Sequence, residues 1–106
     1  MWAMPAQAQE VASATGGVLR MLDKTVGSVR DVPLGADQTA QIGALLITLD
    51  ECRYPVSNPN GDAFARIDIF DSRTETQLFS GWMVASAPAL NPLDHPRYDV
   101  WVLRCA

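Results

Sequence analysis

IGALLITLDECRY, residues 42–54, is the longest apolar run in the chain. It is rich in β-branched and large aliphatic residues, and Pro55 stops it. Such a run suits a central strand covered on both faces. Directly after it, Ser57-Asn58-Pro59-Asn60-Gly61-Asp62 is dense in turn chemistry, because Asn-Pro starts a turn and Asn-Gly accepts positive φ. Residues 63–70 (AFARIDIF) then alternate. Ala63, Ala65, Ile67 and Ile69 fall on one face, and Phe64, Arg66, Asp68 and Phe70 on the other. Residues 71–76 read as a charged hairpin tip. Residues 77–85 (QLFSGWMVA) form the next strand, with Gly81 expected at a bulge or a close approach.

Working outward, residues 86–97 (SAPALNPLDHPR) hold three prolines and cannot be a long regular element; a short helical turn at residues 89–93 is expected. Residues 98–105 (YDVWVLRC) return to alternation, with Tyr98, Val100 and Val102 on one face and Trp101, Leu103 and Cys105 on the other. Upstream, residues 18–25 form a strand, Gly27 a turn, and residues 28–34 a second strand ended by Pro33 and Gly35. About six strands, short turns and almost no helix predict an all-β domain: a small antiparallel β-sandwich or barrel over residues 18–106, with one long proline-rich loop.

Residues 1–17 are expected to lie outside that domain. Ala6-Gln7-Ala8 fits the small-x-small pattern read by signal peptidase, with Pro5 just upstream. We expect a secretory signal clipped at its front, cleavage after Ala8, and a disordered polar leader over residues 9–17. An ordinary flexible N-terminus rich in Ala and Gln is the other reading. Cys52 and Cys105 both end strand-like runs, and their separation matches neither a zinc knuckle nor a CxxC redox motif. In an exported chain the default is one disulfide between them. Two buried free thiols are the alternative.

The 106 residues suffice for one domain, and 48% apolar against 19% charged residues permits a real core. A net charge of −4, with Lys24 the one lysine, argues against nucleic acid and anionic lipid, which need clustered bases. No apolar stretch reaches the length of a membrane span. Catalytic patterns are missing. A triad drawn from Ser80 or Ser86, His95, and Asp94 or Asp99 has neither a nucleophile elbow nor an oxyanion loop. Asn58, Asn60 and Asp62 have the alternate spacing of a calcium loop without its closing Glu. Asp68 and Asp71 are two carboxylates near a turn, where surface charge is the ordinary role. No catalytic residue, metal or cofactor is expected, and the chain is expected not to be an enzyme.

The aromatic residues gather late. Trp82, Met83, Leu90, His95, Tyr98 and Trp101 lie within residues 79–105 and are the candidate interface residues. The same stretch reads equally as a lid packed over one open end of the sandwich, stiffened by its prolines.

At these residues the sequence resembles a family. FSGWM-x-AS-x-PAL at 79–90, LDHPRYDVWVLRC at 93–105, VLRMLDKTVGSV at 18–29 and LDECRY at 49–54 are similar to the pattern of alphaproteobacterial domain-of-unknown-function family 2155, over roughly residues 17–105. The resemblance implies a short exported protein, periplasmic or attached to the inner membrane, with no assigned catalytic residues. It also implies a gene often placed beside one for a small accessory subunit of respiratory complex I, NADH:ubiquinone oxidoreductase. Some members look like supernumerary subunits on the periplasmic side of that enzyme. We therefore expect a non-enzymatic periplasmic accessory protein that docks on a membrane protein complex, with complex I the suspected partner. A small-ligand or lipid-binding envelope protein with an apolar pocket near Trp82 and Trp101 is the alternative.

Overall fold

A computed structural model describes residues 10–93 and 95–106. The expected signal remnant at residues 1–9 lies outside the described residues. The long apolar run resolves into alternation. Its strand spans Leu45–Pro55, with Leu45, Ile47 and Leu49 wholly buried and Leu46, Thr48 and Asp50 half-buried. The strand is central in being hydrogen-bonded along both edges, but only one of its faces is covered. That corrects the expectation of cover on both faces: every second residue still meets the core, and apolar content alone cannot distinguish the two cases.

Eight strands form among the described residues, two more than the sequence predicts. They are β1 (Val11–Ala14), β2 (Gly16–Asp23), β3 (Ser28–Gly35), β4 (Gln38–Ile42), β5 (Leu45–Pro55), β6 (Phe64–Asp71), β7 (Thr76–Val84) and β8 (Tyr98–Cys105). The additions are β1 and β4, which lie end to end along the same edge of β5 and pair antiparallel with it. Both are short and mostly exposed, so neither carries an apolar period. Residues 11–14 and 16–17 lie in strands, so this part of the chain is not the disordered leader expected there. Gly43, at φ 58°, turns β4 into β5 inside the run read as one strand.

The strands form two antiparallel sheets: β5, β6 and β7 with β1 and β4 on the outer edge of β5, and β3-β2-β8. Their inner faces meet as a sandwich. Leu19 and Met21 from β2 and Val100 and Val102 from β8 face Ile47 and Leu49 from β5 and Ile67 and Ile69 from β6 in one buried cluster. Pro33 stands in β3, an edge strand, where its missing N–H breaks no inner ladder. Gly81 pairs in regular register with Ile67, and the irregularity expected there falls instead beside Leu78, opposite the step from Ile69 to Phe70. Asp71 is buried because its Oδ1 accepts the backbone N–H of Arg73 and Thr74, tying off the β6–β7 turn.

Cys52 and Cys105 are bonded, S–S 2.07 Å, joining β5 of the large sheet to β8 of the small one. The glycine pair opening β2 lies against this joint. A Cβ on Gly17 would sit 3.2 Å from the Cys52 sulfur, and one on Gly16 would sit 2.4 Å from the backbone oxygen of Leu34. Gly16 also exchanges two backbone hydrogen bonds with Ala106. Gly16→Ala should therefore cost about 2 kcal/mol, the scale of an overpacked core, because backbone cannot rotate away as a side chain can. Urea denaturation checks this; a midpoint unchanged from the parent would mean that β3 yields freely at this point.

Residues 85–97 contain no helix among the described residues, so the helical turn expected at 89–93 is absent. Two single turns take its place, with Val84 O accepting from Ala87 N and Ala87 O from Leu90 N. Leu93 inserts into the core at 3% exposure and anchors the connection.

Candidate functional site

Strand pairing decides what the large sheet shows to solvent. Because Ala65, Ile67 and Met83 point inward, Phe64, Arg66, Asp68, Trp82 and Val84 point outward. Antiparallel register then sets Arg66 opposite Trp82, Phe64 opposite Val84 and Asp68 opposite Ser80. On the far side of β6, Arg53 stands opposite Phe64 and Glu51 opposite Arg66. The result is a shallow apolar depression of about 330 Å³ lined by Val11, Arg53, Phe64, Trp82 and Val84. The Arg53 guanidinium lies 5.1 Å from the centre of the Trp82 ring and is held from its other side by Glu51 at 2.7 Å. A guanidinium fixed in this way gives a flat, rigid, amphipathic surface.

A polar band adjoins the depression. The register shift in β5 between Leu49 and Glu51 leaves both Asp50 and Glu51 on the outer face. Its Oδ2 lies 3.8 Å from Arg66 Nε. The Ser80 hydroxyl donates to Asp68 at 2.6 Å and accepts from Arg66 Nη2 at 3.4 Å. Burial, and then the Asp68 carboxylate beside it, push the Asp50 carboxyl above the ordinary carboxylate value. The Ser80 hydroxyl, and then Asp50, hold Asp68 below it. Asp71, read from the sequence as an ordinary surface charge, is instead a buried turn cap, and Asp68 lies beside Asp50 across the ladder.

The six candidate interface residues separate. Trp82 is half-buried and outward on the large sheet, and Trp101 half-buried and outward on the small one, beside Pro88, Ala89 and Pro92 in a second depression of about 380 Å³. The two tryptophans thus face opposite ways, and no single apolar pocket joins them. Leu90 is 67% exposed on the connection. Met83 and Tyr98 belong to the core and leave the interface set, since their strand positions alternate inward. His95 is a turn residue: its Nδ1 accepts the backbone N–H of Arg97 at 3.0 Å and of Tyr98 at 3.2 Å. Among the described residues the triad is not assembled: Ser86 donates to Asp62, Ser80 to Asp68, and backbone N–H groups take His95 Nδ1, while Asp94 lies outside the described residues. Asp62 is likewise spent, accepting Ala63 N, Ser86 N and Ser86 Oγ, which removes the calcium loop. Among the described residues no group of three or more His, Cys, Asp or Glu could hold a metal ion.

With the site in place, comparison decides the relationship. Residues 17–105 match the family described as "Uncharacterized protein conserved in bacteria (DUF2155)". The chain is a member of DUF2155. The match covers every strand but β1, and both cysteines. An uncharacterized protein of Rickettsia prowazekii (strain Madrid E) is 27% identical over 99 residues, 91% of this chain and 64% of the relative. This DUF2155 chain thus spans less than two thirds of that relative's length. No solved structure matches it.

Sequence reading found Trp82 and the outward positions of Phe64 and Arg66 in this DUF2155 chain, but missed Val11, Arg53 and Val84 as parts of one surface. The alternation of AFARIDIF carried half of the signal. The other half is the pairing of β6 with β5 and β7, which no local period contains.

Proposed function

We propose that this DUF2155 protein is an exported, non-enzymatic accessory protein that docks on a membrane protein complex, namely the respiratory complex I implied by the family resemblance, through the outer face of its large sheet. The observation that carries this reading is the Trp82 surface: a half-exposed tryptophan flanked by Phe64, Val84 and Val11 and stacked by a tethered Arg53. Tryptophan and arginine are the residues on which binding energy concentrates at protein interfaces, and here neither loses much side-chain freedom on docking. Export is supported by the Cys52–Cys105 bond, since such bonds persist in oxidising compartments. Among the described residues no helix is long and apolar enough to cross a membrane. Membrane association then runs through the partner.

Membranes solubilised in mild detergent and resolved by native electrophoresis test the proposal. The protein should migrate with complex I. Trp82→Ala should keep the melting temperature and lose at least about 2 kcal/mol of binding, roughly 30-fold in affinity. A native protein that runs only as a free monomer overturns the proposal.

A further inference from the structure

One end of the sandwich breaks the inside–outside pattern obeyed elsewhere. Arg30 pairs directly with Met21, so both side chains leave the same face of the small sheet, the face that carries Val32 and Leu34 into the core. Ser28 pairs with Asp23, and Asp23 with Tyr98, on the same face. Polar and charged groups therefore occupy inward positions where β2 and β3 approach the end of β4. Between the sheets at this point lies a cleft of about 270 Å³, lined among others by Met21, Asp23, Arg30, Ile42, Arg97 and Tyr98. Its floor is core, Met21 at 3% and Tyr98 at 8% exposure.

The charges in the cleft do not cancel. Arg97 is committed, donating to Asp23 through Nε and through Nη2 at 3.0 Å and lying 5.0 Å from the centre of the Tyr98 ring. That contact holds the Asp23 carboxyl below its ordinary value. Among the described residues Arg30 joins no ion pair. One guanidinium therefore remains above an apolar floor, with a tethered second guanidinium forming one wall. Gly43 keeps the mouth open: a Cβ there would stand 3.0 Å from the Tyr98 hydroxyl.

We propose that this cleft is a binding site for a small carboxylate with a short apolar body, the carboxylate on Arg30 and the apolar part against Met21, Ile42 and Tyr98. A guanidinium suits a carboxylate by geometry as well as charge, and the size of the cleft admits only a small ligand. The site is independent of the Trp82 face, which lies on the outer side of the other sheet.

Nuclear magnetic resonance titration of the intact protein with sodium hexanoate tests it, with hexanamide as the uncharged isostere. Hexanoate should give saturable shifts at the amides of Met21, Arg30, Gly43 and Tyr98. Hexanamide should bind about tenfold more weakly, as should hexanoate to Arg30→Gln, while Arg104→Gln should match the parent. Arg30 lies exposed on an edge strand, and an unchanged melting curve for Arg30→Gln confirms that its fold is kept. The proposal is overturned if hexanoate gives no saturable shift, if hexanamide binds equally, or if Arg30→Gln binds as the parent does. Arg30 would then serve only to guard the edge of β3 against strand pairing.

Discussion

Cys105→Ser should lower stability under oxidising conditions by about 4 kcal/mol, a fall in melting temperature on the order of 20 °C for a domain of this size. The bond closes a loop of 53 residues, so cutting it returns that freedom to the unfolded chain. It also joins β5 of one sheet to β8 of the other, two strands between which no ladder runs. Calorimetry with and without reductant separates the bond from the sulfur. Reductant should bring the parent down to the variant and leave the variant unmoved. A parent curve that reductant does not shift would show that the crosslink contributes nothing to folding.

Tyr98→Ala should cost about 3–5 kcal/mol, and Trp101→Ala about 1 kcal/mol or less, although the two lie three residues apart in one strand. Tyr98 is 8% exposed and belongs to the central cluster, with the His95 ring 5.4 Å away and the Arg97 guanidinium on its face. Removing it leaves a cavity that these polar neighbours cannot fill. Trp101 is half-buried on the outer face of the small sheet, against Pro88, Ala89 and Pro92, and truncation there opens a space that water already reaches. Urea denaturation with unchanged slopes measures both. Equal losses would mean that the two outer surfaces of the sandwich are not what the pairing of β8 with β2 makes them.

The parts of this protein legible in its sequence are those carried by short periods and by single residue types. AFARIDIF and YDVWVLRC alternate as read: the structure buries Ala65, Ile67 and Ile69 in β6, and of the two faces separated in β8 it buries that of Tyr98, Val100 and Val102. The pairing of Cys52 with Cys105 was legible because the chain has two cysteines, each ending a strand-like run. VASA and QTAQI escaped because a short edge strand half open to water needs no long apolar period; each is paired to β5 by backbone hydrogen bonds, with the Thr39 and Thr48 hydroxyls bonded between β4 and β5. His95 reads as a candidate interface residue because sequence cannot show the two backbone N–H groups that hydrogen-bond to its Nδ1.

Sequence alone thus determined an all-β chain, the division of its clearest strands into two faces and the two cysteines available to crosslink it, since these depend on near neighbours or on unique partners. Tertiary structure alone decided that Trp82 and Trp101 look in opposite directions, that Arg53 and Val11 join Trp82, and that Arg30 stands over the core at the open end. Those facts depend on which strands lie side by side and in what register, and register is fixed by the collective burial of two faces rather than by any single stretch of chain.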